Sequence, residues 1–159
     1  ENMMAHIEHC DLLVLGSGAA GLCAAVTAAK RGLNVIVVEK EPVLGGSTAW
    51  SGGWMWVPCT RHARADGNME TLDVPETYLR NELGPQFDGP RIKALLQAGP
   101  EMVEFLENET DVSFVSGTWI CDIHGNPPGA GTGARSPGRG LRWRRTRRGE
   151  FCAVAIQAL

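Results

Sequence analysis

The sequence predicts an α/β fold that opens on two parallel strands joined by a helix, and three stretches carry that prediction. Residues 10–15 (CDLLVL) are a short apolar run ending at Gly16, suited to a strand buried on both faces. Residues 19–31 read as a helix. Leu22, Ala25, Val26 and Ala29 recur at i, i+3, i+4 and i+7, and Lys30-Arg31-Gly32 supplies a cationic last turn and a glycine stop. Residues 34–39 (NVIVVE) are rich in β-branched side chains and form the second strand. Strand, helix and strand at this spacing make a right-handed βαβ unit.

The turn between the first strand and the helix is Gly16-Ser17-Gly18-Ala19-Ala20-Gly21, a G-x-G-x-x-G. A chain with 20 glycines in 159 residues exceeds the average of about 7%, so the match alone is weak. Its context strengthens it. It follows a strand, opens a helix, and an acid, Glu39, stands 18 residues past Gly21 at the end of the next strand. Each position then has a physical task in a Rossmann-like dinucleotide site. Gly16 permits the tight turn, Gly18 lets a pyrophosphate approach the backbone, and Gly21 with Ala24, Ala25 and Ala28 lets the helix lie close on the sheet. The first-turn amides, those of Ala19 and Ala20 included, and the helix dipole favour phosphate charge. Glu39 accepts hydrogen bonds from ribose hydroxyls and repels a 2′-phosphate. The bland alternative is a glycine-rich turn in an unrelated α/β protein, with Glu39 merely solvated.

FAD and NAD both use this unit, so the next loop decides between them. Residues 45–58, Gly45-Gly46-Ser47-Thr48-Ala49-Trp50-Ser51-Gly52-Gly53-Trp54-Met55-Trp56-Val57-Pro58, resemble the flavin loop of FAD-dependent oxidoreductases related to fumarate reductase and succinate dehydrogenase, in the 3-ketosteroid Δ1-dehydrogenase-like branch. The resemblance implies that Glu39 holds the ribose. It also implies that Gly45, Gly46, Ser47 and Thr48 line the pyrophosphate and flavin, and that Ser51, Gly52 and Gly53 pack near the isoalloxazine ring. Chemically, the glycines expose amide donors and the hydroxyls of Ser47, Thr48 and Ser51 orient flavin atoms. Lys40 completes the candidate cofactor set. Relatives with covalent flavin carry a histidine near this loop. Here Ser47, Thr48 and Ala49 occupy that stretch, so the resemblance implies noncovalent FAD.

The likeness continues in residues 100–106 and in Asp122-Ile123-His124, with Pro128-Gly129 and Ala134-Arg135-Ser136, and is expected to end there. Steroid-acting members often place a tyrosine where this chain has Ile123, which has no proton to donate. His124 is more simply structural than catalytic, and His6, His9 and His62 lack metal-ligand spacing. No metal site is expected and no catalytic residue is assigned.

Between these motifs, residues 40–60 are expected to be loop-rich. Asp73 is expected to cap a helix reaching residue 83, Asp88 another reaching 98, and residues 101–108 form a third after Pro100, before a short strand at 112–115. Composition is that of a globular protein, with 43% hydrophobic and 21% charged residues. Five scattered cysteines without a C-x-x-C pair argue against disulfides and zinc, and fit a cytoplasmic chain. No apolar run approaches the roughly 20 residues of a membrane span.

Net charge is −3, split between −9 before Arg135 and +6 from there onward. Residues 135–148 are half arginine with no apolar period. A shifted reading frame of a GC-rich gene is the first reading of that stretch. A solvated tail, or a patch for nucleic acid or acidic membrane, comes behind it. The expected organisation is therefore residues 1–134 as the N-terminal part of an FAD-binding domain with a helical insertion and an incomplete sheet, and 135–159 as a basic irregular tail. The resemblance implies a flavin-dependent dehydrogenase or reductase acting on C–C bonds next to a carbonyl or carboxylate, with a steroid-like or dicarboxylate substrate. The substrate domain would lie beyond this chain, leaving it inactive by itself. The alternative is a non-catalytic flavin- or nucleotide-binding module that needs a partner subunit.

Overall fold

A computed structural model describes residues 7–117, 120–131, 140–143 and 155–158. They fall into two compact units, one of residues Glu1–Gly52 with Arg148–Leu159 and one of Gly53–Arg147. The expected Ala134-Arg135-Ser136 likeness and most of the arginine-rich stretch lie outside the described residues.

In the first unit β1 (Leu12–Leu15), α1 (Ala19–Lys30) and β2 (Val35–Glu39) form the expected βαβ. The strands pair in parallel, with Leu12 opposite Val35 and Leu15 opposite Val38. A third strand, Ala155–Ala158, pairs in parallel with β2, placing β2 at the centre. That strand falls within residues 135–159, which were expected to be an irregular tail.

The unit's core is small: Val14, Ala25, Ala28, Val35 and Val37, with Leu12 and Ala29 packed against it. Ala25 and Ala28 lie four and seven residues past Gly21, on the helix face that meets the sheet. Ala24, on the flank of that stripe, is exposed. Complete burial of Val37 contributes about 1.5–3 kcal/mol. The expectation that β1 is buried on both faces fails. Leu13 and Leu15 are 55% and 77% exposed, because β1 is the edge strand of the described sheet and α1 covers one face.

The second unit holds an antiparallel sheet of β3 (Trp54–Trp56), β4 (Phe114–Ser116) and β5 (Gly140–Trp143), with β5 between the other two. Its helices are α3 (Arg61–Ala65), α4 (Asp73–Leu83) and α5 (Gly89–Glu109). The short helix Gly46–Trp50, within the first unit, is α2 and replaces part of the expected loop. The cap of α4 is Leu72, not Asp73, whose carboxylate instead accepts from the Thr71 hydroxyl. Asp88 does cap α5, accepting from the Arg91 amide at 3.1 Å.

The two helices expected on either side of Pro100 are one. Pro100 removes the amide that would bond to Leu96, a loss of about 3 kcal/mol in a helix interior. The burial of Ile92, Leu96, Val103 and Leu106 along one continuous stripe offsets it. At the end of α5, Glu107 is a side chain 8% exposed. It accepts from Arg61 at 2.8 Å and from the Phe114 amide at 3.0 Å, and pairs with His62 at 2.9 Å. Burial pushes its carboxyl up, but the bonds from His62, Phe114 and Arg61 together outweigh that and hold it below the usual range. Glu107 thereby ties α5 to α3 and β4.

Truncating Leu96 to alanine is expected to cost about 2–5 kcal/mol, read from the urea midpoint of the whole chain. A loss no larger than that of a surface substitution, about 0.5 kcal/mol, would show that the stripe across Pro100 is not core.

Candidate functional site

The chemistry-bearing residues of the first unit meet where β1 ends and α1 begins. Gly16 turns the chain with a φ of 91°, its amide bonded to the Val38 carbonyl at 2.8 Å. Gly21 sits over that turn. A Cβ built on it would come 2.1 Å from the Gly16 oxygen and 3.3 Å from Val14 Cγ1, so only a residue without a side chain closes this contact. The helix start is thus drawn against the strand end.

Ser17, absent from the sequence-derived set, occupies the centre of the site and is fully buried. Its amide donates to Glu39 Oε2 at 2.8 Å and its hydroxyl donates to the same oxygen at 2.5 Å. The same hydroxyl oxygen accepts from the Gly45 amide at 2.9 Å. A hydroxyl at the first variable position of the glycine motif was the available signal, but the motif leaves that position open.

Glu39 is buried, and Oε1 accepts from the Glu41 amide at 3.1 Å. The Ser17 hydroxyl, then the Ser17 and Glu41 amides, lower its pKa from 4.5 to about 2 against the opposing effect of burial. It is therefore ionised and acceptor-only, with lone pairs left for hydroxyl donors. The Lys40 ammonium is on the surface, 3.5 Å from the Glu41 carboxylate.

The Gly45-Gly46 stretch crosses the turn. Gly45 opens α2 with a φ of 112°, and a Cβ on Gly46 would come 3.4 Å from Gly18 Cα. Thr48 Oγ1 accepts from the Ala19 amide at 3.2 Å, and Ser51 donates to the Thr48 carbonyl at 2.8 Å. Ser47 and Gly52 are exposed. Gly53 belongs to the second unit, with a φ of 72°. The amides of Gly18, Ala20 and Gly21 have no acceptor among the described residues.

Gly18 differs from its neighbours. Its φ of −69° suits any residue, and a Cβ there would meet nothing closer than Thr48 Oγ1 at 4.0 Å. The described fold gives no reason of its own for glycine at this position. Room above Gly18, amides without an acceptor among the described residues and an ionised acceptor fit a group carrying both phosphate and ribose hydroxyls.

In the second unit, Asp122 is buried and accepts from Trp56 Nε1 at 2.8 Å and from the Gly131 amide at 2.7 Å. Ile123 is 94% exposed, and His124 lies on the surface 2.6 Å from Glu82. Among the described residues no helix is long and apolar enough to cross a membrane.

Fold and cradle together define a dinucleotide-binding βαβ unit. The chain belongs to the FAD binding domain family, which matches residues 11–156 and so continues past Ser136, where the likeness was expected to end. The expected cofactor is thereby borne out as FAD. A 4-oxocyclohex-2-ene-1-carboxylate 5-dehydrogenase of Sinomonas cyclohexanicum is 46% identical over 127 residues, 80% of this chain and 21% of that protein. A fumarate reductase (cytochrome) of Shewanella frigidimarina is 32% identical over 131 residues, 78% of this chain and 22% of that protein. The crystal structure of a 3-ketosteroid Δ1-dehydrogenase from Sterolibacterium denitrificans, bound to 1,4-androstadiene-3,17-dione, superposes with a TM-score of 0.75 at 30% identity. It covers 85% of this chain and 23% of that one. These relatives bear out the flavoprotein resemblance drawn from residues 45–58. The chain spans about a fifth of the length of the curated relatives it matches.

The Glu39 pKa sets a testable pH dependence. Folding favours the ionised form, so its stabilisation is complete above 4.5 and is lost as pH falls through about 2. Urea midpoints taken across that interval are expected to fall more steeply in the wild-type chain than in Glu39→Gln. Equal slopes would show that Glu39 is not held ionised by the fold.

Proposed function

We propose that this chain binds FAD noncovalently through its first unit, as the cofactor-holding part of a dehydrogenase that acts on C–C bonds next to a carbonyl or carboxylate. The single observation that carries the reading is Gly18, a glycine that the described protein atoms do not require, in a turn where the amides of Gly18, Ala20 and Gly21 have no acceptor among the described residues. In this reading the pyrophosphate lies over Gly18 and the start of α1. Glu39 accepts from the adenosine ribose. Gly45, Gly46, Ser47 and Thr48 flank the phosphates, and Ser51 and Gly52 approach the flavin. The ionised Glu39 disfavours any cofactor with a phosphate on that ribose. Thr48 and Ser17 fix the backbone that bears the amide donors, so little reordering is needed on binding.

FAD supplies the redox chemistry when bound, taking up the equivalent of a hydride, while the protein supplies position and polarity. The relatives' names support a substrate whose reacting bond is activated by a neighbouring carbonyl or carboxylate: a cyclohexene carboxylate, a steroid ketone and fumarate. Matching only about a fifth of those proteins' length supports placing the proton-transfer groups in parts of the parent enzyme outside this chain.

The test is FAD titration of the purified chain, followed by flavin fluorescence, beside a Gly18→Ala variant. Alanine suits the local φ and meets no protein atom, so the variant is expected to fold and melt no lower than wild type. Its affinity for FAD is expected to drop at least about tenfold, and Gly18→Val should abolish binding. Undiminished binding in Gly18→Val would remove the pyrophosphate from this position.

A further inference from the structure

We propose that the Ser17 hydroxyl is a positioning group that sets Glu39 and the Gly45 loop together, so that one buried oxygen locks the ribose end and the phosphate end of the cradle to each other. The proposal rests on the FAD reading for what the cradle holds, and on geometry alone for the lock itself.

Three observations carry it. Ser17 is fully buried, so its hydroxyl has no solvent to satisfy it and must bond within the protein. It uses both of its capacities at once. The proton goes to Glu39 Oε2 at 2.5 Å, and the oxygen receives the Gly45 amide at 2.9 Å. The direction is forced: an ionised carboxylate can only accept and an amide can only donate, and the Ser17 hydroxyl, donor and acceptor at once, joins them. Glu39 and Gly45 belong to different elements, one at the end of β2 and one at the cap of α2.

Polarisation runs along such a chain. A carboxylate drawing on the hydroxyl proton makes its oxygen a better acceptor for the Gly45 amide. Anything that disturbs Glu39 is therefore felt at Gly45, and the reverse holds too. The Ser17 amide gives Glu39 a second anchor that survives loss of the hydroxyl, so removal of the side chain is expected to loosen the carboxylate rather than release it.

The test uses Ser17→Ala and Ser17→Gly in the whole chain. Both are smaller than serine and introduce no clash, and Gly45 is only half-buried, so water can reach its amide. Three quantities are followed: the Glu39 carboxyl titration by carbon NMR, hydrogen exchange of the Gly45 amide, and the affinity for FAD. Loss of the hydroxyl is expected to move the Glu39 titration upward from about 2 toward 4.5. Gly45 exchange and the FAD dissociation constant are each expected to rise about tenfold, the scale of one charge-assisted hydrogen bond. Glu39→Gln reads the same coupling from the other side. It leaves Ser17 intact, yet should quicken Gly45 exchange.

An unmoved Glu39 titration, or Gly45 exchange unchanged in both the Ser17 and the Glu39 variants, would overturn the lock. A wild-type chain that does not bind FAD would sink the cofactor reading, while titration and exchange would still decide the role of Ser17.

Discussion

A helix can lie this close to its strand only if nothing projects between them, and Gly21 is where that condition is tightest. With the Gly16 oxygen 2.1 Å from where a Cβ would stand, any side chain would push α1 away from the turn. The burial of Ala25 and Ala28 against Val14, Val35 and Val37 follows from that closeness, since such short side chains reach the sheet only from a near helix. So does the burial of Ser17, pinned beneath the helix start with its hydroxyl turned toward Glu39. The polar geometry of the cradle therefore descends from a steric fact about one backbone approach.

The second unit is held by different means. Its long helix keeps an apolar stripe through Pro100, and two buried carboxylates anchor what surrounds it. Glu107 gathers a guanidinium, an imidazole and an amide, while Asp122 joins the Trp56 indole to the Gly131 backbone. Buried acceptors satisfied by several donors fix loop geometry in a way that apolar contact alone does not.

Sequence reading recovered the βαβ unit almost to the residue, because strand, helix and glycine turn each leave a local pattern. It placed Gly16, Gly18, Gly21 and Glu39 at one locus for the same reason. The errors have physical causes as well. The single helix through Pro100 is decided by packing of its buried stripe, which overrides local preference, while the cap at Leu72 goes with a local bond from Thr71 that takes up the Asp73 carboxylate. Short strands at 140–143 and 155–158 have no amphipathic signal and exist through their partners. Ser17 escaped notice because its importance lies in two bonds to residues 22 and 28 positions away.

The strand pairing of the first unit also bears on how the chain folds. The β1–α1–β2 contacts are local and can form early. The third strand meets β2 only after about 120 intervening residues, a closure whose entropic cost rises slowly with length but must be met before pairing returns anything. The second unit is made of residues inside that interval. Its own collapse shortens the effective tether and so lowers the entropic cost of bringing the third strand to β2.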